Sequence, residues 1–317
     1  MKSHNDNKIE NANGQELFPA TEFGFVVLHY LAYQLTCQCI DNLLRISNNR
    51  RAHIVVVDNA SPNGSGNLLL GRYGKSSKIA IIKNPVNEGF ARGNNVGYNY
   101  LIEHFNCDFI IVINNDVMIN DVSFLDKVQS IYSHSHFDVL GPDIINPITG
   151  SHQNPLYRYK QEYLYGIPKN EVVAIRKYKI SRLHHFAWKS LKMSIKQRFF
   201  PFLIKNNHQL STPAIIENQM ENVVLHGACF IFSSNYIQKR KYCFNPLTFL
   251  YAEEDILHYE CMHDGLKIVF DSSIQIEHLE GFATTVALPQ KIKRERMRLK
   301  ESIRSLGILL SIMNDNT

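Results

Sequence analysis

Short apolar runs alternate with amphipathic stretches through the first half of the chain. Phe23 to Leu28 has the length and composition of a buried strand. Residues 34–46 carry Leu35, Cys39, Leu43 and Ile46 at helical spacing. His53 to Val57 is a β-branched run that stops at Asp58, followed by the turn formers Asn59-Ala60-Ser61-Pro62-Asn63-Gly64. The alternation continues with a strand over Ile79–Ile82, breakers at Asn84-Pro85 and Asn87-Glu88-Gly89, and a helix over Phe90 to Phe105. A strand over Phe109–Ile113 ends in Asn114-Asn115-Asp116; a helix over 121–133 and a strand at Val139–Leu140 follow. Strands alternating with helices predict parallel β-α-β units and an α/β fold. Functional groups in such sheets gather beyond the carboxyl ends of the strands, which places Asp58, Asn87 and Asp116 on one rim.

The pattern then changes. Residues 151–220 mix Tyr, Lys, Arg, His and Phe without clear periodicity and read as an insertion or lid with a basic, aromatic face. Val223–Phe232 predicts a strand, 253–264 a helix, 267–270 and 274–277 two strands, and 291–313 a helix, basic first and apolar at its end. The expected organisation is a polar leader over 1–20, one α/β domain over 21–285 with halves at 21–145 and 146–285, and a basic amphipathic C-terminal helix over 286–317.

Composition narrows the function classes. The formal net charge of +5 suits a polyanionic small molecule or an anionic membrane surface and falls short of a nucleic-acid interface. Cys37, Cys39, Cys107, Cys229, Cys243 and Cys261 form no C-x-x-C pair, which argues against a zinc site and for a reducing compartment. Residues 1–16 lack the apolar core of a secretory signal, and no apolar run reaches the ~18 residues of a membrane span. The expectation is a cytoplasmic protein, at most peripheral on the cytoplasmic membrane face.

Five constellations carry candidate chemistry. Asp58, at a strand tip, can accept a hydrogen bond from a nucleobase imide or a ribose hydroxyl; an Asx turn explains it as well. Asn87-Glu88-Gly89-Phe90-Ala91-Arg92-Gly93-Asn94-Asn95 opens a helix, where free N–H groups, glycine and Arg92 suit phosphate; the bland alternative is an ordinary capped helix. Asn114-Asn115-Asp116 delivers oxygen ligands to a strand tip, enough for Mg²⁺ completed by phosphate and water, or simply a polar turn. Glu253-Glu254-Asp255 is a run of carboxylates whose mutual repulsion suits a general base, and equally an acidic first helical turn. His278 ends a predicted strand beside Glu277.

Taken in order, VVVDNAS, NEGFARGNN, INND, LHGACF, FLYAEED and EH resemble glycosyltransferase family 2, most of all its rhamnosyltransferase-like members that build surface polysaccharides. The resemblance covers about Phe23 to Gly281, with 151–220 poorly matched. It implies the GT-A fold, a Rossmann-like nucleotide-binding mixed sheet flanked by helices, here with a C-terminal helical extension. It makes 21–145 the nucleotide-sugar-binding half and 146–285 the acceptor-binding half. It implies donor contacts from His29, Asp58, Asn87, Gly89, Arg92, Asn94 and Asn115. It implies a divalent metal, Mg²⁺ or Mn²⁺, on Asp116 and His278, and catalysis by Glu254 within Glu253-Glu254-Asp255.

Three departures from the family pattern stand out. Asn114 and Asn115 replace acidic residues, His29-Tyr30-Leu31 replaces an early Thr-Tyr-Asn, and no arginine follows the acidic run near Tyr259-Glu260-Cys261. The implied function is an inverting transfer of a sugar from a UDP- or dTDP-sugar to a hydroxyl of a glycan or lipid-linked acceptor in polysaccharide biosynthesis. The main alternative is a non-catalytic nucleotide-sugar- or glycan-binding subunit. A nucleotidyltransferase is disfavoured because His29-Tyr30-Leu31-Ala32-Tyr33 stands where its Gly- and Arg/Lys-rich loop belongs. Two basic segments, Arg182 to Lys205 and Lys291 to Arg296, fit an anionic leaflet, or packing on the domain itself or on a second subunit in a homodimer.

Overall fold

The computed structural model describes residues 9–10, 16–17, 21–156, 164–197, 218–279 and 290–315. Two short strands, β1 (Ile9–Glu10) and β2 (Glu16–Leu17), pair with each other. The rest of the 1–20 leader lies outside the described residues.

The body is a nine-stranded sheet. Its first half runs β3 (Glu22–His29), α1 (Tyr33–Ile46), β4 (Arg51–Asp58), α2 (Ser65–Tyr73), β5 (Ile79–Lys83), α3 (Gly89–His104), β6 (Phe109–Asn114), β7 (Val117–Met118), α4 (Phe124–Ser135) and β8 (Val139–Ile145). Its second half runs α5 (Lys169–Gln197), β9 (Gln219–Glu221), β10 (Cys229–Ser233), α6 (Ser234–Lys239), α7 (Glu253–His263), β11 (Ile268–His278) and α8 (Lys291–Asp315). The strand order is β5-β4-β3-β6-β10-β8-β11-β7, with β9 also on β11. β5, β4, β3 and β6 are parallel; β10 is antiparallel to both its neighbours, and β8 and β11 are parallel again.

Period-two alternation divides the core between the sheet's faces. Phe23, Phe25 and Val27 of β3 pack with Ile40 and Leu43 of α1, Leu69 of α2 and Phe124 and Val128 of α4. Val26 on the other face packs with Tyr98 and Leu101 of α3, Tyr236 of α6 and Leu257 of α7. Covered on both faces, the parallel strands have apolar centres such as Phe25–Leu28, Ile54–Val57 and Phe109–Ile113. A third cluster joins Val172 and Ile175 of α5, Ala252 and Ile256 at the start of α7, and Leu306, Leu309 and Met313 of α8. Helix α7 is therefore wedged between the sheet and the α5–α8 pair.

Several expectations change here. The aperiodic segment 151–220 contains a helix of 29 residues, α5, packed along α8. Only Cys229–Ser233 of the apolar run 223–232 joins the sheet. Val223 and Val224 are buried outside it, with the Val224 N–H on the Leu164 carbonyl and its own carbonyl taking the Leu156 N–H. The two strands at 267–277 are one, β11, with a register shift between Asp271 and Gln275. Helices α2 and α6 and strands β7 and β9 are additions to the expected elements. The side chains of His185, Trp188, Phe199, Phe200 and Phe202 lie outside the described residues.

Candidate active site

The parallel strands end level. His29 lies directly across from Asp58, and Leu28 across from Asn114. At the tip of β4 the Asp58 carboxylate accepts the Ser61 N–H at 3.1 Å, which closes the turn through Ala60 at φ +60°. Its other oxygen faces Gly66 so closely that a Cβ there would stand 1.8 Å away. Glycine at 66 is what lets α2 start against the carboxylate.

Asn59 ties the donor-side loops together. Its Nδ2 donates to the Asn87 side chain at 3.0 Å and to the Gly89 carbonyl at 2.9 Å. Its Oδ1 accepts from Asn84 Nδ2 and from the Glu88 N–H. Asn87 Oδ1 in turn accepts the Gly89 N–H at 2.9 Å. Gly89 has φ +76°, and a Cβ there would lie 2.3 Å from the Phe249 carbonyl oxygen. That same oxygen accepts the Phe90 N–H at 2.7 Å. The start of α3, where free N–H groups favour a phosphate, is thus fastened directly to the segment leading into α7. Arg92 is exposed one turn on, paired with Glu88 at 3.0 Å.

Three of the expected donor residues, His29, Asn94 and Asn115, are buried with their side chains hydrogen-bonded inside the protein. His29 is fully buried; Nδ1 meets Thr36 Oγ1 and Nε2 meets Ser65 Oγ, both at 2.7 Å. Burial, partly offset by the Asp58 charge, lowers its pKa to about 4, so the ring is neutral. Asn94 is buried and spends its amide on the Phe90 carbonyl of its own helix. Asn115 is buried with its amide turned in to Thr36 Oγ1 at 2.9 Å. His29 and Asn115 sit at strand ends and turn to Thr36 and Ser65, whereas Asn94 lies within α3 and bonds back along its own helix.

Asp116 and His278 do come together. Strands β7 and β11 pair Val117 with His278, which sets His278 Nε2 at 3.3 Å from Asp116 Oδ1. Both side chains are about 95% buried or more, at 5% and 3% exposure. His278 Nδ1 lies 2.7 Å from Gln153 Oε1. With Gln153 Oε1 as the acceptor, Nδ1–H donates, and an uncharged ring then turns its Nε2 lone pair toward the carboxylate. Two acceptors facing each other fit a cation between them, and about 3 Å is the separation of neighbouring ligands in one shell. Among the described residues no group of three or more His, Cys, Asp or Glu could hold a metal ion, so phosphate oxygens and water would complete such a shell. Beneath this pair, burial and then the Asp116 charge push the Cys39 thiol up to about 12, which leaves it inert. All six cysteines are buried and unbridged.

The acidic run opens α7. Tyr251 and Ala252 precede it with φ +71° and +64°, two strained left-handed residues in succession. Ser305 of α8 donates to the Leu250 carbonyl, and Arg298 lies over the Tyr251 ring. Glu253 and Asp255 are buried, whereas Glu254 keeps access to solvent. The segment His226-Gly227-Ala228 joins Glu254 to the Asp116–His278 pair. A Cβ on Gly227 would lie 2.7 Å from Glu254 Oε1. The Ala228 carbonyl takes the Asn114 N–H at the tip of β6, and the His226 ring lies 5.4 Å from that of His278. Asn59, Gln153, Thr36, His226 and Gly227 were not singled out from sequence. The VVVDNAS run contained Asn59 and the LHGACF run contained His226 and Gly227, without assigning any of them a role.

A mixed sheet of this order, flanked by helices on both faces, is the architecture of the GT-A class of folds. The model of glycosyl transferase family 2 matches residues 25–199, and the chain belongs to that family. One similar characterised protein is the low-salt glycan biosynthesis hexosyltransferase Agl10 of Haloferax volcanii, 28% identical over 95 residues. The match spans 30% of this chain and 29% of that protein. The mannosyltransferase PcManGT from Pyrobaculum calidifontis, solved with GDP-Man and Mn²⁺, superposes with a TM-score of 0.51 at 10% identity, covering 94% of this chain and 74% of that one. GalNAc-T7 with UDP, GalNAc and Mn²⁺ also gives 0.51, at 13% identity over 84% of this chain and 46% of that one. At these identities the solved structures show the fold.

Proposed function

We propose that the protein transfers a hexosyl or deoxyhexosyl unit from a UDP- or dTDP-sugar to a hydroxyl of a glycan or lipid-linked acceptor, with inversion at the anomeric carbon. One observation carries the reading: His226-Gly227-Ala228 brings the accessible carboxylate of Glu254 to the same rim as the Asp116–His278 pair. Family membership supports it, as do structural neighbours solved with GDP-Man and Mn²⁺ or with UDP, GalNAc and Mn²⁺.

Asp58 presents the acceptor that an imide N–H requires, and the N-terminus of α3, shaped by Asn87 and Gly89, takes the diphosphate. Asp116 and His278 would hold Mg²⁺ or Mn²⁺, and the ion supplies Lewis-acid stabilisation of the leaving diphosphate. Arg92 leaves Glu88 to add a second positive charge there. Glu254 removes the acceptor hydroxyl proton, and that oxygen attacks the anomeric carbon in line with the departing diphosphate. Glu253 and Asp255, buried on either side, fix the turn that presents Glu254. No protein nucleophile takes part, so one displacement inverts the centre.

The C-terminal helix extends the reading to the acceptor. Lys293, Arg296, Lys300 and Arg304 are exposed and share one stripe of α8, opposite the buried Leu299, Leu306 and Leu309. Such a stripe fits an anionic membrane face that carries a lipid-linked acceptor. Among the described residues no helix is long and apolar enough to cross a membrane.

The reading is tested by incubating the protein with UDP- and dTDP-sugars and Mn²⁺ and following nucleotide release. Metal-dependent release, lost in Asp116→Ala, is expected. Nucleotide binding with no release, and no transfer to any supplied acceptor, would favour a non-catalytic subunit. A product of retained configuration would overturn the single displacement.

A further inference from the structure

Gln153 belongs to the segment that reads from sequence as an aperiodic insertion, yet the fold carries it to the Asp116–His278 pair. Its N–H donates to the Ile144 carbonyl near the end of β8 at 2.7 Å, and His152 bridges to Ile145. Across the parallel ladder Ile145 stands opposite Glu277, so strand register sets Gln153 beside His278 at the end of β11. The residues on either side hold it there. His152 Nδ1 meets the buried Asp143 carboxylate at 2.8 Å. The buried Asn154 donates to the Pro142 carbonyl at 2.7 Å, and its Oδ1 accepts the His226 N–H at 3.0 Å.

Two features of the Gln153 side chain point to a task. Oε1 lies 2.7 Å from His278 Nδ1, and the other nitrogen of that ring faces Asp116. Nε2 is buried and has no hydrogen-bond partner among the described residues. A donor buried unpaired costs stability that a hydrocarbon side chain of similar size would not, so packing alone gives no reason for an amide here. A histidine that binds a metal through one ring nitrogen usually donates from the other to a carbonyl or carboxylate, which fixes its tautomer and orientation. Gln153 Oε1 stands in that relation to His278.

We propose that Gln153 is a positioning residue of the donor site: its amide oxygen holds the His278 proton on Nδ1 and so leaves the Nε2 lone pair for the cation shared with Asp116. The inference rests on the donor-site reading above. It gives the segment after β8, which lies in the acceptor-side half, a part in metal binding. With the amide turned the other way, Nε2 would donate to Nδ1, the ring proton would sit on His278 Nε2, and the contact with Asp116 would be an internal hydrogen bond closed to a cation. The variants below separate the two arrangements.

The test measures binding of UDP and dTDP over a series of Mn²⁺ concentrations to wild type, Gln153→Leu and Gln153→Glu. The readout is the Mn²⁺ concentration that gives half the effect, for the nucleotide that wild type prefers. Leu keeps most of the volume and removes the acceptor; Glu keeps the acceptor. Gln153→Leu is expected to raise that concentration by about 10–100-fold, with wild-type nucleotide affinity restored by excess Mn²⁺. Gln153→Glu is expected to stay within about threefold of wild type or to need less metal, because a carboxylate also takes the Nδ1 proton. Unchanged or tighter Mn²⁺ dependence in Gln153→Leu overturns the inference. So does a loss that excess Mn²⁺ does not restore, or an equal loss in Gln153→Glu, either of which marks a packing role. Thermal melting of each variant separates misfolding from altered metal binding. If wild type itself shows no Mn²⁺-dependent nucleotide binding, the donor-site reading falls and this inference with it; if wild type does and Gln153→Leu matches it, this inference alone falls.

Discussion

Gly227 lies against Glu254 so closely that a single added methyl group would come within 2.7 Å of the carboxylate oxygen. The obstructed atom is the end of a flexible side chain, so the carboxylate moves and the backbone does not. Gly227→Ala is therefore expected to keep near-native stability and to lower kcat by about 100-fold, the cost of displacing a reacting group by about an ångström. Glu254→Gln should lower kcat by roughly 10²–10⁴-fold with donor affinity unchanged. Steady-state kinetics beside a chemical denaturation curve check both. Wild-type turnover in either variant would take Glu254 out of the base role.

Gly89 makes the opposite contrast. Its φ is +76°, and the atom a Cβ would strike is the Phe249 backbone oxygen at 2.3 Å, which has no room to retreat. Gly89→Ala should destabilise the fold by at least about 1–3 kcal/mol, from left-handed strain before the clash is added. It should also disturb both halves of the site, because Phe249 leads into the acidic run. Urea unfolding measures the first effect, and donor binding the second.

Asn59 supplies both donors and acceptors to its loop, so isosteric replacement cannot preserve it. Asn59→Asp turns two donated hydrogen bonds, to Asn87 Oδ1 and the Gly89 carbonyl, into contacts between acceptors. A loss on the order of 1–3 kcal/mol is expected for each group left unpaired. Weakened nucleotide binding should appear before loss of global structure, seen as a raised Kd in a protein with native circular dichroism.

Acid sensitivity should trace to His29. Its folded pKa of about 4 lies below the value of about 6.5 that it has when unfolded. Between these values the unfolded chain binds the extra proton, so stability rises with pH and is lost as pH falls from about 6.5 to 4. The contribution is roughly 3 kcal/mol over that window. Burial lowers His258 in the same direction. Denaturation midpoints measured from pH 4 to 7 should be steeper for wild type than for His29→Asn. Parallel curves would show that His29 is not the group titrating.

Much of this was legible in the sequence because the signals were long and unambiguous. β3, β4 and β6 are apolar runs closed by polar tips, and a strand buried on both faces has no other appearance. α2 escaped notice because Gly64, Gly66 and Gly71 look like a loop; Gly66 is there to admit the Asp58 carboxylate. α5 escaped because, among its described side chains, the buried ones are the narrow stripe of Val172 and Ile175 against α7 and α8. Apolar composition misled at Val223–Leu225, where burial comes from loop packing rather than strand pairing. In the site, Asp116 and His278, which the structure brings within 3.3 Å, both stood at predicted strand ends. Residue type suits His29, Asn94 and Asn115 to donor contacts, but it does not show side-chain direction, and here His29 turns to Thr36 and Ser65, Asn115 to Thr36, and Asn94 to the Phe90 carbonyl of its own helix. Asn59 was hidden among turn formers that look alike.

The central claim is a donor site completed by a cation on Asp116 and His278. Calorimetric titration of UDP and dTDP, each with and without Mn²⁺, into wild type and Asp116→Ala tests it most directly. Metal-dependent binding of one nucleotide, lost in Asp116→Ala while the variant melts like wild type, is the predicted result. Binding of neither nucleotide under any metal condition, or equal binding by the variant, would contradict it.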